Sequence, residues 1–150
     1  MSGTSVSIGL PLSPLYLHMC IGEGATTEPG MFTPMFGKVK GEAEKALLEL
    51  SKTTPSLKPY SLRPGGVDPT YHPEIQPFIP RKRSFMFKTA QVILMPVLRA
   101  AATNMVSPTK ELGQVLVNLA MGDGMPLQGK GVLGEGRTIS NVGMRRLAGL

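Results

Sequence analysis

The sequence predicts an α/β protein built on a parallel sheet. Three observations carry that expectation. A short uncharged apolar run occupies residues 15–21, a long amphipathic helical pattern follows a glycine-rich loop, and a second short strand pattern ends at Arg63. Strand, helix, strand in that order is the signature of a crossover unit. Composition agrees: 150 residues, 41% hydrophobic and 17% charged, exclude wholesale disorder and suit one domain. The 14 Pro and 18 Gly make the chain loop-rich, and ten Met with no Trp point to an adaptable core.

The elements follow in order. Residues 1–14 read as an irregular leader, and 15–150 as a single domain. "LYLHMCI", Leu15 to Ile21, is bounded by Pro14 and Gly22 and suits a buried parallel strand. After "GEGATTEPG", apolar residues at 35, 36, 39, 43, 46, 47 and 50 form one stripe of a helix. Lys38–Glu42, Lys40–Glu44 and Lys45–Glu49 are spaced one turn apart, each pair worth roughly 0.2–0.5 kcal/mol on a helix. "LKPYSLRPGG" gives a strand that stops at Arg63, because Pro64 cannot donate to a ladder. Residues 66–82 are proline-rich and read as loop. Ser84 to Met105 is an apolar helix, or two, kinked at Pro96. Ser107 and Pro108 open another helix, Ser as N-cap and Pro at the first helical position, running to Met121 before Gly122. A glycine-broken hairpin or loop and a short terminal helix complete the chain.

Several function classes are weakened by the same residues. The net charge is +6, but its dense run, Arg81-Lys82-Arg83, has no aromatic side chains alternating with it, so no nucleic-acid partner is expected. Cys20 is the sole cysteine, which rules out an internal disulfide framework and favours a reducing compartment; within an apolar run it reads as an inert buried thiol. The N-terminus has no basic residue ahead of its apolar part and two prolines break it, unlike a signal peptide, so a cytoplasmic location is expected. The uncharged core of the 84–105 segment, Thr89 to Leu98, is about half the roughly 20 residues of a membrane span. Peripheral membrane contact through that helix beside the Arg81–Arg83 cluster is the alternative.

Two phosphate-loop lookalikes fail on context. "GKGVLG", Gly129 to Gly134, follows a helix rather than a strand, with no room for a second strand after it. "GMPLQGKG", Gly124 to Gly131, has Gly131 where a nucleotide loop needs Ser or Thr for magnesium. His18 and His72 stand apart, with no carboxylate cluster nearby in sequence, so no metal site is expected.

The ordered set "GEGATTEPGMFTPMFGKVKGEAEKALLEL", "LKPYSLRPGGVDP" and "VSPTKELGQVLVNLAMGDG" resembles the short-chain dehydrogenase/reductase superfamily, nearest its atypical, epimerase-like NAD(P)-binding members. The likeness covers about residues 15–122 and corresponds to the C-terminal half of that fold. It implies a partial Rossmann-like parallel sheet, half of a doubly wound NAD(P)-binding fold, with flanking helices. Residue by residue, Lys40 falls on the family lysine that holds the nicotinamide ribose. Phe36 replaces the family tyrosine that moves the proton. Arg63-Pro64-Gly65 falls on the turn that closes over the nicotinamide half, and Ile21-Gly22 stands where Ser-Gly is expected. A phenyl ring has no ionisable proton, so general acid–base work at Phe36 is impossible.

The glycine-rich turn that seats the cofactor diphosphate belongs to a first strand and helix. Only 14 residues precede the first strand, fewer than a crossover unit needs. The resemblance thus implies NAD(P) ancestry without autonomous catalysis, and an exposed sheet edge that invites a homo-oligomer or a missing N-terminal half. A non-catalytic interaction or regulatory module is the other expectation. Read without the resemblance, the 35–50 helix is an amphipathic surface helix with a solvated Lys40.

Overall fold

The computed structural model describes residues 14–24, 35–79 and 94–150. Strand β1 (Leu15–Cys20), helix α1 (Met35–Thr53) and strand β2 (Leu57–Arg63) follow in the expected order. β1 and β2 pair in parallel, from Leu15 opposite Leu57 to Cys20 opposite Leu62. The remaining elements among the described residues are β3 (Gly66–Asp68), a helix α2 over 94–101, β4 (Val106–Pro108), α3 (Thr109–Met121), β5 (Val132–Leu133), β6 (Thr138–Ser140) and α4 (Asn141–Leu147), with 3-10 turns at Pro73–Phe78, Thr103–Met105 and Gly134–Gly136. The chain is a mixed α/β protein with a four-stranded, mostly parallel sheet and flanking helices.

The sheet order is β1-β2-β6-β5, with β6 parallel to β2 and β5 antiparallel to β6. β6 joins β2 only from Ser61 to Arg63, so Pro59 lies ahead of that pairing and its missing donor costs nothing there. One face of the sheet carries the core. Tyr60 and Leu62 of β2 and Ile139 of β6 pack with Leu112, Val115 and Leu119 of α3 and Met144 of α4. Burial of each such side chain contributes roughly 1.5–3 kcal/mol.

The other face is covered by α1, and here the helix is turned away from its expected orientation. Its buried residues are Gly37, Gly41 and Glu44. The apolar stripe through Phe36, Val39, Ala43, Ala46 and Leu50 is exposed. Glu44 reaches the Arg63 guanidinium and the Thr138 hydroxyl. None of the three expected lysine–glutamate pairs forms. Lys40 and Glu44 both go to partners outside the helix, and the ion pair within α1 is Lys52–Glu49 at 3.2 Å.

Three further expectations change. Residues 66–79 contain β3 and the 3-10 turn rather than loop alone, because β3 pairs with β4 residue for residue and Asp68 is clamped by Arg99. Ser107 is not an N-cap. It lies in β4, and α3 begins at Thr109 with no side-chain cap bond, since the Ser107 hydroxyl is engaged elsewhere. Cys20 is exposed, because β1 is the edge of the sheet and the thiol sits at its end. The leader 1–13, the Arg81–Arg83 cluster and residues 84–93 of the apolar segment lie outside the described residues. No helix among the described residues is long and apolar enough to cross a membrane.

Candidate functional site

Parallel strands bring their carboxyl ends to one side of a sheet, and in open α/β sheets that side is where ligands bind. Here the ends of β1, β2 and β6 deliver Gly22-Glu23-Gly24, Pro64-Gly65-Gly66 and Asn141-Val142 to one rim. With Asn104 and Met105 they enclose a cleft of about 550 Å³.

The rim is fixed by a polar knot centred on Asn141, which is buried. The Asn141 amide nitrogen Nδ2 donates to the carbonyls of Asn104 at 2.6 Å and Val106 at 3.2 Å. Its Oδ1 accepts from Ser107 Oγ at 2.6 Å, and Ser107 Oγ in turn accepts from the Gly65 backbone N–H at 2.9 Å. The Asn141 backbone N–H donates to the Glu23 carboxylate. Four chain segments are thereby joined with no donor or acceptor of the Asn141 amide left over, the condition a buried amide must meet. Gly65 is required by close approach: an added Cβ would lie 2.7 Å from the Met105 carbonyl carbon.

The residues singled out in the sequence distribute unevenly around this cleft. Pro64 and Gly65 line it. Lys40 does not line it; its Nζ donates to the carbonyl of Ile21, the neighbour of the rim residue Gly22, at 2.9 Å and lies 3.8 Å over the Phe36 ring. Phe36 is largely exposed beside it. Arg63 points to the α1 side, pairs with Glu44, and borders a second recess of about 340 Å³ between α1 and the β5–β6 hairpin. Glu49 and Glu135 there face Lys45 and Lys52, so the recess carries both signs of charge. Lys52 bonds Glu135 as well as Glu49, and those bonds raise its pKa.

Glu23, Ser107 and Asn141 were not foreseen as members of the site. The Ser140-Asn141 pair at the start of a terminal helix was the available signal, since Ser140 Oγ caps α4 through the Gly143 N–H. His18 lies on β1 against the Tyr60 ring, centroids 5.8 Å apart, and its buried Nε2 has no partner among the described residues. Burial lowers its pKa. His72 follows the turn after β3, 3.7 Å from Glu74. Among the described residues no group of three or more His, Cys, Asp or Glu is placed to hold a metal ion.

A nicotinamide cofactor can be tested against these groups. Lys40 has two N–H bonds left after Ile21 and could serve a ribose. Phe36 cannot give or take a proton, and the described rim offers no glycine turn opening a long helix for a diphosphate. The described residues alone do not supply a proton donor and a diphosphate seat for that cofactor.

No family model matches the chain, and no solved structure matches it. Among curated proteins it is similar to the Leucinostatins biosynthesis cluster protein T of Purpureocillium lilacinum, 28% identical over 102 residues. That match takes in 67% of this chain but 38% of the relative, so the chain spans well under half of that protein's length. It is also similar to the Botcinic acid biosynthesis cluster B protein 16 of Botryotinia fuckeliana (strain B05.10), 43% identical over 132 residues that make up 86% of this chain and 83% of the relative. With that identity over most of both proteins, the chain belongs to the family of the Botcinic acid biosynthesis cluster B protein 16.

Proposed function

We propose that the chain is the C-terminal half of a Rossmann-like, NAD(P)-binding-type fold related to the short-chain reductases and epimerases. It serves a biosynthesis cluster without running hydride chemistry of its own. One observation supports the reading: Lys40 Nζ bonds the Ile21 carbonyl just beyond β1 and lies 3.8 Å over the Phe36 ring, the two residues that the resemblance sets on the family lysine and tyrosine. Pro64 and Gly65 of the Arg-Pro-Gly turn line the adjoining cleft, which favours retention of a small-molecule pocket. The two relatives bear the names of biosynthesis clusters, which supports the biosynthetic setting.

A second reading, a non-catalytic interaction module, is favoured by the exposed apolar stripe of α1. Titration calorimetry with NADPH and NADH on the purified 150-residue chain tests the first. No saturable binding is expected, and Phe36→Tyr is expected to show no NADPH oxidation above a Lys40→Ala control. Saturable micromolar binding by the wild type, or turnover by Phe36→Tyr, would overturn the view that the site is incomplete.

A further inference from the structure

The cleft at the strand ends has a wall of one sign. Among its described lining residues Glu23 alone is ionisable. Lys40 and Arg145 come near through the backbone only: they bond the carbonyls of Ile21 and Val106, neighbours of the rim residues Gly22 and Met105, and line no part of it. Glu23 is fixed by its main chain and by its side chain. Its backbone N–H donates to the Pro64 carbonyl at 2.9 Å, and its Oε1 accepts from the Asn141 backbone N–H. An ionised carboxylate has about four acceptor sites on its two oxygens, and Oε2 has no partner among the described residues. The residue is exposed, so that oxygen is open to a ligand.

The rest of the wall is neutral. Met105, 58% exposed, Val142 and Pro64 give it apolar surface, Asn104 gives an uncharged amide, and the glycines give only backbone. Its volume of about 550 Å³ lies within the roughly 300–1,000 Å³ of ordinary small-molecule clefts, which join an apolar lining to a few placed polar groups. An anionic ligand would meet the Glu23 charge with no cation of the lining to offset it. A ligand cation would find in Glu23 the counter-charge that desolvation demands.

We propose that the cleft takes a small organic ammonium ion, an amine on an apolar body, with the ammonium on the Glu23 carboxylate and the body against Met105 and Val142. The proposal rests on the reading of the cleft as a retained small-molecule pocket and names the ligand class. An N⁺–H donor makes a charge-assisted bond to the carboxylate, about twice as strong as a bond between neutral groups. Solvent at the exposed Glu23 screens that advantage, so discrimination by charge is modest rather than absolute. The two readings fail separately. Amine binding together with NADPH binding would refute only the incomplete cofactor site, and absence of both would refute only the ligand class.

Heteronuclear NMR titration of the full chain at neutral pH tests it with three matched probes: phenethylamine, its neutral counterpart phenethyl alcohol and the anion hydrocinnamate. Saturable shifts are expected at the backbone amides of Gly65, Gly66 and Asn141, with the amine bound at least about fivefold more tightly than either match. Glu23→Gln keeps an oxygen for the Asn141 N–H and removes the charge. It should erase the preference while the spectrum of the free variant stays that of the wild type away from the rim. Met105→Lys sets a cation in the wall at an exposed position and should weaken the amine as well. Three probes of equal affinity, no binding by any of them, shifts confined to other parts of the chain, or an amine preference that survives Glu23→Gln would each overturn the proposal.

Discussion

The contact between α1 and the sheet turns on one buried carboxylate, and its removal has a calculable cost. Glu44 is 0% exposed, and the Arg63 side chain it pairs with is 14% exposed. Glu44 also accepts from Thr138 Oγ1 at 2.5 Å, and Arg63 Nε already lacks a partner. Glu44→Ala leaves a buried guanidinium with no counter-charge and a buried hydroxyl with no acceptor. Breaking a buried pair from one side costs about 3–5 kcal/mol, a large part of the 5–15 kcal/mol that holds an ordinary domain together. At a urea dependence of about 2 kcal/mol per molar, the unfolding midpoint should fall by about 2 M. The double variant Glu44→Met with Arg63→Met removes both charges and keeps the volume, so it should recover most of that loss. Urea unfolding followed by circular dichroism measures both. A Glu44→Ala midpoint within about 0.3 M of the wild type, or a double variant as unstable as the two singles added, refutes the account.

Other outcomes follow from the geometry. Burial works to raise the Asp68 carboxyl, but the bidentate bonds from Arg99, at 2.6 and 2.7 Å, together with Thr70, hold it below its ordinary 3.8. A carboxylate with a depressed folded pKa stabilises above its unfolded value, so the stability gap between wild type and Asp68→Asn should stay constant from neutral pH down to about 5. It should then close as pH falls below 3.8, a trend read from urea midpoints against pH. Burial pushes the Cys20 thiol up while the Lys40 ammonium pulls it down. Iodoacetamide should therefore label Cys20 more slowly than a free thiol at pH 8, and slower still in Lys40→Ala, because only the thiolate attacks. Gly131, at φ +82°, lies against the backbone of Gly143, leaving no room for a Cβ. Gly131→Ala should cost about 2 kcal/mol or more in chemical unfolding by prying the hairpin from α4.

The first crossover unit was legible in the sequence because its signals are local. Uncharged apolar residues from 15, a helical period from 35 and Pro64 after Arg63 all bear on their own neighbourhoods. What the period could not say was which way α1 faces. An apolar stripe ordinarily marks the buried side, but Glu44 finds Arg63 and Thr138, 19 and 94 residues away in the chain, and Gly37 and Gly41 are buried beside it on the same face. β3 and β4 have three residues each, too few for any alternation to register. The site divided in the same way. Lys40 and Phe36 were visible through their spacing, whereas Ser107 looked like a helix cap because nothing local reveals that Gly65 and Asn141 claim its hydroxyl.

The strand order has a consequence for biosynthesis of the chain itself. β6, which lies inside the sheet beside β2, is made from residues 138–140. A polypeptide leaving the ribosome can join β1 to β2 early, yet the berth next to β2 stays vacant until residues 138–140 have been translated. At 5–20 residues per second that wait lasts several seconds, with the β2 margin of a greasy two-stranded ribbon open meanwhile to solvent or to a chaperone. Loss of residues 138–140 would accordingly remove a middle plank of the sheet rather than an edge.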